Sequence, residues 1–361
     1  MTRRKLIQSA AVSAAALVLP TRPLSAAGQV PSAAKLPRWR GFNLLEMFTD
    51  RRPAPFREED FALIAEWGFD FVRLPLSYRC WARPEDWLNI NEERVRWVDG
   101  AVKLGQKYRV HVNINFHRAP GYCVNPPDEP LDLWTSPEAQ KAACFHWRHF
   151  AKRYQGIPST EVSFDLLNEP KDMPEEPYAN VIRMFVEAIR EVDPQRLIIA
   201  DGLKWGGTPV HSLADLGIGQ STRGYAPTQI SHYKANWVTG ADQFEEPTWP
   251  LTIPGKEGKP PTVYDRARLI KERIEPWKAL ESKGVGVHVG EWGAYSYTPH
   301  KVVLAWMKDY LELWKEAGWG WALWNLRGSF GVLNSGRKDV PYEDFRGHKL
   351  DRKMLELLLA Y

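Results

Sequence analysis

Short apolar runs recur along the whole chain, and each ends in polar residues. They fall at 40–45 (RGFNLL), 69–76 (FDFVRLPL), 110–117 (VHVNINFH), 162–167 (VSFDLL), 196–201 (RLIIAD), 228–233 (TQISHY), 285–290 (VGVHVG) and 320–326 (GWALWNL). Runs this brief read as strands. Between most of them the apolar positions take a helical period. Residues 91–107 set Val95, Val98, Val102 and Leu104 among charges, and residues 301–317 set Val303, Trp306, Tyr310 and Leu313 on one side. Thr135-Ser136-Pro137-Glu138 reads as a helix start with proline in the first turn. A Leu-rich helix is expected over 349–360.

Strands alternating with helices, eight of each in prospect, predict a single (β/α)8 barrel with extended βα loops. The alternative, a doubly wound open sheet, lacks a glycine-rich dinucleotide fingerprint after the first strand. No repeat or linker divides the chain, so residues 28–361 are expected to form one domain. The stretch 237–262, rich in Pro, Gly and Trp, reads as a long loop after the sixth strand. In a barrel such a loop lies on the face that carries the chemistry.

Residues 1–27 read differently. Thr2-Arg3-Arg4-Lys5 precedes a small apolar stretch, and Leu24-Ser25-Ala26-Ala27 follows with small residues. That order is expected of a twin-arginine signal peptide, which would place the mature protein in the periplasm or outside the cell. The apolar stretch is too short to span a bilayer, so no membrane association is expected once it is removed.

At 361 residues and 44% hydrophobic content the chain can bury one large core. Net charge is only +4, from 48 basic against 44 acidic residues, which does not favour a nucleic-acid partner. A monomer is expected. The 17 tryptophans exceed ordinary usage. Core packing takes some of them, and half-exposed indoles suit a cleft that receives the apolar faces of sugar rings. Trp67, Trp97, Trp147 and Trp306 fall in expected helices and read as core, whereas Trp205, Trp237, Trp249 and Trp292 are candidates for cleft walls. Three cysteines exclude a disulfide framework. Cys80 and Cys123 each follow an expected strand and are candidates for one bridge, with Cys144 a buried thiol. No CxxC or HExxH pair occurs, and no metal or cofactor is expected.

The strand ends collect an unusual set. Arg73 lies on the second strand, His117 ends the third and Asn168-Glu169 ends the fourth. His232-Tyr233 ends the sixth, Glu291-Trp292 the seventh, and Trp324 lies on the eighth. Glu46 ends the first. Mid-strand His111 and His288 read as packing residues, and Asp165 and Asp201 as structural. Two carboxylates from distant strands facing one cleft are what acetal hydrolysis requires. One donates a proton to the leaving oxygen, and the other attacks or stabilises the oxocarbenium centre.

From Trp39 to the C-terminus the chain resembles glycoside hydrolase family 5, the cellulase family of (β/α)8 barrels. The resemblance rests on the Arg in FVRLPL, the His in NINFHRAPGY, the Asn-Glu-Pro of FDLLNEP, HVGEWGAY and GWALWNLRG. It implies Glu169 as acid/base and Glu291 as nucleophile. Arg73, His117 and Asn168 would form the surrounding polar shell, with Trp324 as a sugar platform. The family shows His-x-Tyr at strand six, where this chain reads Ser231-His232-Tyr233-Lys234. Either His232 takes the family histidine's role, or Tyr233 keeps register and Ser231 replaces the histidine. A shift of one residue swaps the face of a strand, so both cannot hold.

The activity this implies is a retaining β-glycosidase acting on β-linked glucan, foremost an endo-β-1,4-glucanase. Mannan, xyloglucan or β-1,3-glucan would be cut by the same pair with different loops. A non-catalytic carbohydrate-binding homologue is disfavoured because both glutamates are present. A metal-dependent barrel hydrolase would need histidine ligands after the first strand, where this chain reads NLLEMF. Within 237–262, Trp237 and Trp249 are expected to extend the cleft as sugar-stacking subsites.

Overall fold

Successive residues of each strand, which point to opposite faces, are buried alike, which fits parallel strands covered by helices. In the computed structural model, residues 31–255, 258 and 260–361 are described; the expected signal peptide lies outside them. Eight parallel strands follow in order: β1 (Arg40–Asn43), β2 (Phe71–Ser77), β3 (His111–Ala119), β4 (Val162–Asp165), β5 (Ile198–Asp201), β6 (Gly219–Gly224), β7 (Val287–Trp292) and β8 (Gly320–Leu323). Their neighbours run β2-β1-β8-β7-β6-β5-β4-β3, and β3 pairs back onto β2, closing the barrel. A two-residue strand, Tyr122–Cys123, adds antiparallel to the end of β3.

The outer ring is built from α1 (Glu58–Glu66), α2 (Glu92–Tyr108), α3 (Pro137–Tyr154) and α4 (Glu175–Arg190). It continues through α5 (Arg266–Leu269), a π-wound turn (Ile270–Ile274), α6 (Glu275–Glu281), α7 (His300–Ala317) and the C-terminal α8 (Arg352–Ala360). Local chemistry sets the starts. Asn91 caps α2 by accepting from the Arg94 amide, and Ser136 caps α3 by accepting from that of Ala139, with Pro137 at the first turn. α2 buries Val95, Val98, Ala101, Val102 and Gly105, one face at helical spacing. Trp147 and Trp306 are fully buried, as expected of core. Trp292 also proves to be core, not a cleft wall.

Strand packing leaves no room for a side chain at Gly41. A Cβ there would lie 1.7 Å from the Phe71 carbonyl oxygen. The floor of the barrel is aromatic: Trp39 stacks on His111 at 3.7 Å, and Phe71 packs on His111 and His288.

Two expectations fail here. The sixth strand is Gly219–Gly224, and Thr228–Ser231 is one helical turn. The run GQSTRG lacks large apolar residues, so it does not announce a buried strand. Its polar groups are satisfied internally. Gln220 exchanges two hydrogen bonds with the main chain of Val210, and the Thr222 hydroxyl donates to the Gly206 carbonyl. All three cysteines are free thiols. Cys80 turns to the Met47 carbonyl (3.3 Å) and Cys123 to that of His117 (3.5 Å).

Candidate active site

Every barrel strand from β4 to β7 delivers a charged residue to the mouth, and two arginines organise them. Arg73, on β2 and fully buried, donates to Asp165 (2.7 Å), Glu291 (2.6 Å), Asn168 (2.9 Å) and Asn43 (3.1 Å). Arg223, on β6, donates to Glu169 through Nε (3.1 Å), to both oxygens of Asp201, and to Asn168 (3.0 Å). Its Nη2 also reaches Glu291 at 3.5 Å. Asp165 and Asp201, read from the sequence as structural, belong to this network. Two guanidiniums therefore serve four carboxylates: Asp165, Glu169, Asp201 and Glu291.

The four are not served equally. Glu291 accepts from Arg73 and from the Tyr225 hydroxyl (3.1 Å), and Arg223 stands behind it. Glu169 has one charged contact, to Arg223. Burial lifts the Glu169 carboxyl well above the usual carboxylate range, and the charge of Glu291 lifts it further; Arg223 opposes both. The Tyr225 hydroxyl is pushed up by burial first and then by Glu291, so it stays a donor.

Glu169 also sits in an uncommon backbone conformation. Its φ is 47°, in the left-handed region that β-strand residues avoid. The surroundings hold it there. Its amide donates to Asp201 (2.8 Å) and its carbonyl accepts from the Tyr122 hydroxyl (2.7 Å). Strain fixed from both sides is characteristic of functional positions.

Glu169 and Glu291 line one cleft of about 940 Å³ with His117, Tyr225, His232, Trp237 and Trp324. His117 donates through Nε2–H to the Asn125 Oδ1 (2.8 Å), while its Nδ1 is buried with no protein partner. Burial lowers its pKa to about 3, so the ring is neutral across the physiological range. His232 is likewise lowered, to about 4, by burial, and its Nδ1 meets the Ser231 hydroxyl (2.8 Å). Trp324 stacks near His117 (6.0 Å) and meets Phe48 edge-on (5.4 Å). Trp237 is 52% exposed, its ring set edge-on to Tyr295.

Other expected site residues lie outside the cleft wall. Arg73 and Asn168 sit beneath it; the amide Nδ2 of Asn168 is buried without a partner. Glu46 lies beside the wall-forming Leu45 and Phe48, but its carboxylate faces Arg57 at 4.0 Å, and burial raises it to about 7. Tyr233 is buried under Lys234, and it is Tyr225 that donates its hydroxyl to Glu291. Trp249 packs against the core and donates its indole N–H to Asp309 on α7 (2.8 Å). The loop 237–262 instead reaches the cleft through Trp237 and an antiparallel hairpin, Leu251–Ile253 with Thr262–Tyr264. Reading the sequence missed Arg223 and Tyr225. The available signal was Pro227, closing a strand end two residues after Tyr225, much as Pro170 follows Asn168-Glu169.

A (β/α)8 barrel that brings two glutamates from β4 and β7 to an open, aromatic-walled cleft has the architecture of a barrel glycosidase. The family model for cellulase, glycosyl hydrolase family 5, matches residues 32–329, and the chain belongs to that family. Endoglucanase C of Acetivibrio thermocellus is 28% identical over 309 residues, 79% of this chain and 88% of that protein. Cellodextrinase A of Ruminococcus flavefaciens is 24% identical, with 73% and 76% covered. A solved glycoside hydrolase is 39% identical, with TM-score 0.84 over 90% of this chain and 99% of its own. The endoglucanase Cel5A of Thermotoga maritima shares the fold at TM-score 0.71 and 22% identity, with 89% and 96% covered.

Proposed function

We propose that the protein is an endo-acting β-1,4-glucanase that works by double displacement, with Glu291 as nucleophile and Glu169 as acid/base. The observation that carries the roles is the unequal sharing of two guanidiniums among four carboxylates. Of the two glutamates, Glu291, held by Arg73 and Tyr225, is the one better supported as an anion. Glu169, with one contact and a raised pKa, keeps a proton to give to the leaving oxygen. When Glu291 bonds to the sugar its charge disappears. One cause of the raised Glu169 pKa then goes with it, and the same residue turns from acid to base for attack by water. Asn168, held beneath the wall by Arg73 and Arg223, backs the two glutamates, and Trp324 in the cleft lining is placed to carry the ring. Neutral His117 lines the same cleft beside Trp324, its ring held through Nε2 by Asn125.

The substrate choice rests on the endoglucanase relatives and on the open, aromatic-lined cleft. The sequence of the loop 237–262 contains no segment that reads as a chain-end cap, which favours endo action. The leader over residues 1–27 adds the proposal of export by the twin-arginine route. Azide rescue tests the roles. Glu291→Ala with azide is expected to give a glycosyl azide of inverted configuration, and Glu169→Ala with azide one of retained configuration. The opposite pairing reverses the assignment. A polysaccharide panel of β-1,4-glucan, mannan, xyloglucan and β-1,3-glucan tests the substrate.

A further inference from the structure

One cation in the cleft wall has no counterpart in the reaction. Arg273 lines the cleft, yet no hydrogen bond or ion pair engages its side chain among the described residues, and its Nε is buried without a partner. The adjacent carboxylate, Glu272, is occupied by Arg268 at 2.7 Å. A partly buried guanidinium left without an acceptor is uncommon, since its donors lose water without replacement. Its position is also built. Arg273 lies in the π-wound turn Ile270–Ile274 between α5 and α6, an irregularity often found where a helix re-aims a functional side chain. Opposite it stands Gly207, where a Cβ would come to 2.9 Å from Nη1.

The turn carrying Gly207 also presents Trp205. Lys204 and Trp205 both adopt left-handed backbone angles, φ 53° and 57°, and the Trp205 amide donates to the Pro170 carbonyl at 2.9 Å. That bond anchors the turn next to Glu169. Trp205 is 48% exposed and lines the same cleft as Arg273, two residues before the Gly207 that Arg273 approaches. With Glu169 giving its proton to the departing oxygen, this corner receives the leaving-group side of the substrate.

We propose that Arg273 and Trp205 form a subsite on the leaving-group side for a sugar unit that bears a carboxylate, such as a uronic acid. The indole offers a flat face to the ring, and the guanidinium fork fits a carboxylate through two parallel hydrogen bonds. The location of the subsite rests on the acid role of Glu169. The preferred substrate would be an acidic β-glucan, or one with acidic branches, rather than a plain neutral chain.

The test compares a neutral β-1,4-glucan oligosaccharide with the same oligosaccharide carrying one glucuronosyl unit. Calorimetry in the Glu291→Gln background reads binding, and kcat/KM in the otherwise native protein reads turnover. Tighter binding and higher kcat/KM for the carboxylated form are expected at low salt. Arg273→Gln should cut that acidic-to-neutral ratio roughly tenfold or more, and Arg273→Lys should retain part of it. The ratio should shrink as salt rises. An equal loss on both substrates in Arg273→Gln, an unchanged ratio, or no binding of the carboxylated oligosaccharide overturns the proposal. Binding of the carboxylated form with no turnover of the neutral one would overturn the glucanase reading alone.

Discussion

Charge at Glu291 and a proton on Glu169 are set by the side chains packed around them. Tyr225→Phe removes the hydroxyl donated to Glu291, a hydrogen bond to a charged group, and should lower kcat/KM roughly tenfold or more while leaving the fold intact. Steady-state kinetics with thermal melts separate the two effects. The pH dependence follows from the same pair. A raised Glu169 pKa keeps the acid protonated beyond the usual carboxylate range, so activity should persist to higher pH before it falls as Glu169 ionises. In Glu291→Gln the neighbouring charge is gone, so the Glu169 pKa should drop. Titration of carbon-13-labelled glutamate side chains measures this; an unchanged value would show that the Glu291 charge has no part in it, and a higher one would contradict the account. Arg223→Met would strand Glu169, Asp201 and Glu291 beside one another in the interior. Removing one side of such a network should cost about 3–5 kcal/mol of stability, read by urea unfolding, with loss of activity.

At the scale of elements, seven strands were legible because their runs are apolar, and the fourth and seventh led directly to Glu169 and Glu291. The sixth was not. A strand whose inward side chains pair inside a charged barrel mouth needs no apolar signature, so GQSTRG reads as loop. TQISHY alternates like a strand but opens after Pro227 as a single helical turn. That one slip hid Arg223 and Tyr225 and promoted Tyr233. Loop 237–262 was correctly placed on the active face, yet composition could not say that Trp249 turns inward to Asp309 while the hairpin turns to the cleft. Strand contact makes a further prediction. Gly41→Ala would drive a methyl into the Phe71 carbonyl between β1 and β2, and should destabilise the barrel by about 1–3 kcal/mol or more. A denaturation midpoint equal to the parent's would mean the two strands part more readily than their register implies.

For the whole molecule, a closed barrel lets residues far apart in sequence meet without any of them being mobile. Arg73 and Glu291 stand 218 positions apart and hydrogen-bond at 2.6 Å. Closure through β2 and β3 fixes every strand end relative to the others, which is the preorganisation that charge stabilisation in a transition state requires. Specificity is left to the loops around that frame. The measurement that bears most directly on this account is covalent trapping. A 2-deoxy-2-fluoro cellobioside with an activated leaving group should inactivate the protein, and peptide mass spectrometry should find the sugar esterified to Glu291. Esterification at Glu169, or turnover that gives product of inverted anomeric configuration with no trapped ester, would contradict it.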